Sequence, residues 1–145
     1  MPDKSDNKTI YLVSCVSQKK DIAARAKDLY VSDWFRKTRQ YVEATGCPWF
    51  ILSAKYGLVS PEKVITPYEK TLNRMFVAER RRWAQQVIDA IDPVLSQGDR
   101  VIFLAGKRYR DFLSEHLQDR GIAVKAPMKR LRFGEQKSWL DRQTR

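Results

Sequence analysis

Two carboxylates stand where a carboxylate can act on a bound molecule: Asp28 in AKDLY and Glu69 in PYEK. Each lies in a polar segment near the end of an apolar run, with Tyr30 or Tyr68 within two residues to grip a planar ligand. General acid or base work needs such a group poised by its neighbours. Pro67 and Tyr68 favour extended backbone ahead of Glu69, which presents its carboxylate. Lys55 supplies an amine as a third candidate. Around them, small or polar residues and cations recur after apolar runs. Ser14, Cys15, Lys19 and Lys20 follow the first run, and Ser53, Lys55 and Tyr56 the second. Gly106, Lys107, Arg108 and Tyr109 follow the third, and Lys129, Arg130 and Arg132 come after the fourth. In an open parallel sheet the carboxyl ends of the strands line the ligand crevice. Four such exits of the same character point to an anionic ligand. Arg36, in the basic segment SDWFRKTR, is expected to support a nearby loop or a phosphate.

Charge supports that expectation. The 145 residues hold 28 Lys and Arg against 17 Asp and Glu, a net charge of +11. Such a field attracts polyphosphate, and each cation set against a phosphate releases a counterion. Other chemistries are disfavoured. A single histidine, His116, and two cysteines, Cys15 and Cys47, leave no zinc-ligand spacing, disulfide scaffold or histidine triad. No metal and no cofactor are expected. Cys15 reads either as a small buried side chain or as a thiol activated by Lys19 and Lys20. His116 falls on an apolar helix face and reads as a packed core residue. No apolar run approaches the roughly 20 residues that cross a bilayer, and the first ten residues lack a signal-peptide core. A cytoplasmic, monomeric protein with a nucleic-acid partner, DNA before RNA, is the expectation.

The elements that must position these residues follow from periodicity. TIYLVSC (9–15), PWFILS (48–53), RVIFLA (100–105) and IAVKAP (122–127) read as buried strands. Ser32 caps a predicted helix from Asp33 to about Ala44, which Gly46 ends. Asn73 is the expected cap of the longest helix, about 75–91, with Phe76, Trp83, Ala84, Val87, Ile88 and Ile91 on its core stripe. Another helix follows Gly106, with Tyr109, Phe112, Leu113, His116 and Leu117 on one face. Residues 54–72 read as a long irregular loop, of the kind that usually carries function. Strand–helix–strand alternation implies parallel pairing through right-handed crossovers. The expected fold is three-layer α/β/α around a short, mostly parallel sheet, with 1–8 a flexible N-terminus and 9–145 a single domain.

The motifs SCxxxKK, KDLYxSxWFRK, WFILSAKYGLVxPExVIxPYEKTLN and GEQxxWL resemble a bacterial and phage family of uncharacterised short domains. More distantly, the turn–GL–PY pattern is similar to the YaaA peroxide-stress family and to the lysine-transferring domain of archaeosine synthase. That wider group resembles uracil-DNA glycosylases in fold. The resemblance implies work on a nucleobase in, or destined for, nucleic acid. Two departures stand out: the GxDPY water-activating motif and the HPSP-type loop of true uracil glycosylases are both absent. Excision of a modified base to leave an abasic site, in repair or in defence against phage, is the leading expectation. A nucleobase transferase, or a DNA-binding module that shields DNA without chemistry, is the alternative.

Overall fold

A computed structural model of the chain describes residues 7–14 and 19–144. Most of the segment expected to be flexible, and the expected site residue Cys15, lie outside the described residues. Strand β1 (Thr9–Ser14) is the centre of the sheet. It pairs in parallel with β3 (Trp49–Ser53) on one side and β6 (Arg100–Leu104) on the other. Its Leu12 and Val13 are wholly buried, as a strand covered on both faces requires. β7 (Ala123–Lys125) extends the sheet in parallel beyond β6. β4 (Gly57–Val59) closes the other edge, antiparallel to β3. The order is therefore β4-β3-β1-β6-β7.

Helices cover both faces, so the fold is α/β with a mostly parallel central sheet. α2 (Asp33–Thr45) packs with α5 (Phe133–Gln143), and α3 (Val77–Ile91) with α4 (Lys107–Asp119). The path from β1 through α2 to β3 runs one way along the sheet; α3 and α4 carry the chain the other way. With right-handed crossovers this reversal puts the two helix pairs on opposite faces.

The start and stop of α2 are those read from the sequence. Ser32 Oγ accepts the Phe35 amide at 3.1 Å, and Gly46 ends the helix at φ +72°, the left-handed conformation that suits glycine. The buried face is Trp34, Phe35, Thr38 and Val42. Tyr11 of β1 meets it through an edge-on contact with Tyr41, which in turn meets Trp139 of α5. On the other face Trp83, Ala84, Val87, Ile88 and Ile91 of α3 are buried. Each large apolar side chain so buried contributes about 1.5–3 kcal/mol.

Four expectations are corrected. Residues 54–72 are not one irregular loop: they hold β4 and β5 (Val64–Ile65), and β5 pairs with β2 (Ala24–Arg25). Asn73 does not cap the long helix. Thr71 Oγ1 accepts the Asn73 amide and caps a single 3-10 turn, Leu72–Arg74; α3 starts after Phe76. Phe76 is not on the core stripe but 80% exposed, because it precedes the helix and escapes its periodicity. His116 is only half-buried, and its Nε2 lies 3.0 Å from Asp92, which Arg120 also binds.

Asp99 fixes the entry to β6. It is 1% exposed, and its two oxygens accept the amides of Lys8 and Ser96 at 3.0 and 2.8 Å. Burial pushes its carboxyl up, but the two amides and the Lys8 ammonium outweigh this and hold it below the usual carboxylate value. A group whose folded pKa is depressed stabilises the fold above its unfolded pKa, about 4, and loses that contribution as pH falls through the folded value. Asp99→Ala, which leaves two amides without acceptors, should lower the unfolding free energy by about 2–4 kcal/mol at pH 7. Denaturant titrations at pH 7 and pH 3 should show this difference shrinking in acid.

Candidate functional site

The segment that follows β1 and the segment that follows β5 come together in a cleft of about 740 Å³. Lys19, Lys20 and Asp21 line one wall, and Pro67, Tyr68, Glu69, Lys70, Thr71 and Arg74 the other. Backbone bonds set this wall: Lys19 bridges to Tyr30, and the Lys20 amide donates to Leu29 O at 2.9 Å. Four cations therefore face two acids in the lining, Asp21 and Glu69, a local excess of two positive charges. Among the described residues Lys20, Lys70 and Arg74 take part in no ion pair.

An aromatic cluster forms the floor. The Tyr30 and Tyr68 hydroxyls bond at 2.6 Å, and the Tyr68 ring meets Tyr56 edge-on at 5.8 Å. The Lys19 ammonium sits 4.5 Å from the Tyr68 ring centre and 5.7 Å from that of Tyr30. Both rings are nearly buried, Tyr30 at 3% and Tyr68 at 9% exposure, and of the two only Tyr68 lines the cleft, with Tyr30 as its support. The Thr66 hydroxyl, bonded to the Tyr56 hydroxyl, holds that phenol below its ordinary pKa, helped by nearby Lys55.

The two candidate carboxylates do not share a cleft. Asp28 lies on α1 (Ala26–Leu29), in a separate pocket with Lys27, Tyr30, Val31, Phe35, Arg36 and Arg39. Its carboxylate accepts Arg39 Nη1 at 2.8 Å, and that bond holds its pKa below the usual range. Arg39 also binds Lys27 O and Glu43, so Asp28 ties α1 to α2. Arg36, largely exposed on α2, pairs with Asp33. Lys55 lies beside the large cleft, in a smaller pocket that shares Lys70 with it and adds Met75, Glu79, Arg82 and Gln86.

A further pocket, about 220 Å³, opens where β6 and β7 end. Gly106, Lys107, Arg110 and Lys129 line it over a floor of Trp34, Phe103 and Met128, with no carboxylate among the described lining. β1 and β6 send their chains opposite ways here, the topological position where open α/β sheets bind ligands. Arg108, Arg130 and Arg132 are exposed nearby in sequence; the Arg132 amide is bound by Glu135 at the start of α5. Tyr109, by contrast, is 4% exposed and packs edge-on against Trp83. Ser14 and Ser53 are also buried, and Ser53 serves the fold: its hydroxyl accepts the Tyr56 amide and its carbonyl accepts Trp83 Nε1.

Lys70, Arg74, Arg82 and Arg110 are cleft residues that the sequence reading passed over. Lys70 and Arg74 carry the signal of cations in the loop after a strand, and Arg110 that of a cation in the first turn of a helix after a strand; Arg82, in the second turn of α3, carries neither. Gln136 is another, and the GEQxxWL motif contains it. Its Oε1 accepts Trp34 Nε1 at 2.9 Å, and its Nε2 donates to the carbonyls of Met128 and Leu131. Gln136→Ala should cost about 1–3 kcal/mol of stability through these unpaired groups. A denaturant titration checks the loss, and Trp34 fluorescence should report the loosened pocket.

Among the described residues no group of three or more His, Cys, Asp or Glu could hold a metal ion. No described helix is long and apolar enough to cross a membrane. Neither a curated protein nor a solved structure matches the chain. A family model described as "Family of unknown function (DUF6884)" matches residues 10–142, nearly the whole chain, and the protein belongs to that family.

Proposed function

We propose that the protein binds DNA by its phosphates and removes a modified nucleobase by N-glycosyl hydrolysis, with Glu69 as the working carboxylate. The observation that carries this reading is the large cleft, which Glu69 lines together with Lys19, Lys20, Lys70, Arg74 and Tyr68. Lys20, Lys70 and Arg74, which make no ion pair among the described residues, suit phosphate, and a tyrosine in the lining suits a planar base turned out of its stack. The resemblance to the glycosylase-like group gives the same direction.

The chemistry assigns each group a task. Breaking the C1′–N bond sends its electron pair out with the base and leaves positive charge on the sugar. A carboxylate close to that charge stabilises it and orients a water, whose oxygen bonds to C1′. The proton released from the water passes to Glu69, and the leaving base takes up a proton from its surroundings. Lys19 or Lys20 is placed to offset negative charge on the departing base. Asp28 suits this role less well, since Arg39 occupies it and its depressed pKa makes it a weak base.

Two measurements check the proposal. Affinity for duplex DNA should fall with salt at a log–log slope of roughly −3 to −4, as four phosphate contacts require. Absence of binding at about 50 mM salt would remove the nucleic-acid reading. In single-turnover assays over DNAs with different base modifications, scored by alkali cleavage at abasic sites, Glu69→Gln should slow base release by about a hundredfold or more. Asp28→Asn should leave the rate close to that of the unaltered protein. Tight binding without base release on any substrate would instead favour a DNA-binding module without chemistry.

A further inference from the structure

Phe76 is the most exposed of the large apolar side chains described, at 80%, and its neighbour Val77 is 51% exposed. Other phenylalanines have partners: Phe35 and Phe103 are buried to 1%, and the half-open Phe133 carries the Lys137 ammonium 5.0 Å over its ring. Among the described residues no ring and no cation engages Phe76 in this way.

Its position is as telling as its exposure. Phe76 is the residue before α3, and its carbonyl accepts the Arg80 amide. Two residues earlier, Arg74 lines the large cleft; Met75 and Arg82 line the pocket that adjoins it. Arg80 and Arg81 stack over Phe112 of α4, at 5.5 and 4.3 Å from the ring centre. Phe76 therefore emerges from a stretch that carries Arg74, Arg80, Arg81 and Arg82, none of them ion-paired among the described residues. An exposed aromatic ring on a segment whose guanidinium groups make no ion pair has a natural complement: stacked planar bases on a phosphate backbone. A lipid surface fits less well. The remaining large apolar residues of α3, Trp83, Val87, Ile88 and Ile91, are buried in the core, so the helix has no continuous apolar face to lay on a bilayer.

We propose that Phe76 is a stacking wedge, which enters between adjacent bases of DNA whose phosphates Arg74 and Arg80–Arg82 hold. The wedge rests on the DNA-binding reading above and adds to it a means of opening the stack beside the cleft. Side chains inserted in this way partly unstack a base step and compensate with their own ring contacts.

The test uses the full chain and a short duplex carrying 2-aminopurine, whose fluorescence rises when it unstacks. Unaltered protein at saturation should raise the signal severalfold. Phe76→Ala should bind about tenfold more weakly and, at its own saturation, give little or no rise. Phe76→Trp should keep the rise and show indole quenching on DNA. Because the side chain is exposed, thermal melts of both variants should match that of the parent, which separates loss of the wedge from loss of the fold. Equal unstacking by Phe76→Ala and the parent would overturn the wedge while leaving DNA binding intact. A parent protein that binds no duplex would overturn the DNA reading itself, and the wedge with it. Phe76-dependent binding to vesicles containing phosphatidylserine, with DNA binding unchanged by Phe76→Ala, would assign the residue to a membrane and overturn the wedge.

Discussion

Strand β1 is hydrogen-bonded in parallel on both sides and buried on both faces, and the rest of the molecule answers to that constraint. Parallel neighbours cannot be joined by a tight turn, so each link needs a crossover with a helix. The crossovers need the room of both faces, and the parallel strands β1, β3, β6 and β7 all end on the same side of the sheet. The segment after β1 meets the segment after β5 there, and β6 and β7 open the smaller pocket. One wall of the cleft thus comes from the exit of the buried strand β1, and the other from the chain that leaves the small β2–β5 sheet.

The distribution of ion pairs sharpens this geometry. Acids are used where elements must be tied: Asp28 and Glu43 on Arg39, Glu62 on Arg25 and Lys27, Asp92 on Arg120, Asp141 on Lys37. With those acids engaged, much of the surplus charge gathers where strands give way to loops and helix starts. Exposed pairs of this kind contribute little to stability. Their effect here is one of placement, since they settle which cations remain available to an anion.

Much of this frame was legible in the sequence, because it rests on signals local to a short window. Strands Thr9–Ser14, Trp49–Ser53 and Arg100–Leu104 fall within the apolar runs that announce them, and Ser32 and Gly46 bound α2 as read. What was illegible depends on partners distant in the chain. β4 and β5 are too short to show a period; pairing with β3 and β2 makes them strands. A tyrosine near a strand exit reads alike whether its hydroxyl meets a ligand or another tyrosine, and Tyr30 is bound to Tyr68 from 38 residues away. Asp28 and Glu69 share a polar setting in sequence, yet Arg39 reaches only the first. Spacing alone puts Phe76 on the core stripe; the 3-10 turn capped by Thr71 delays the helix and leaves the ring exposed.

Both outer strands of the sheet, β4 and β7, are three residues long. An open strand edge is a template on which a second chain can build a ladder, and edges this short offer only a few backbone groups. Lys125 at the end of β7 adds an exposed charge to one of them. The same truncation that keeps the sheet small also leaves little hold for edge-to-edge aggregation.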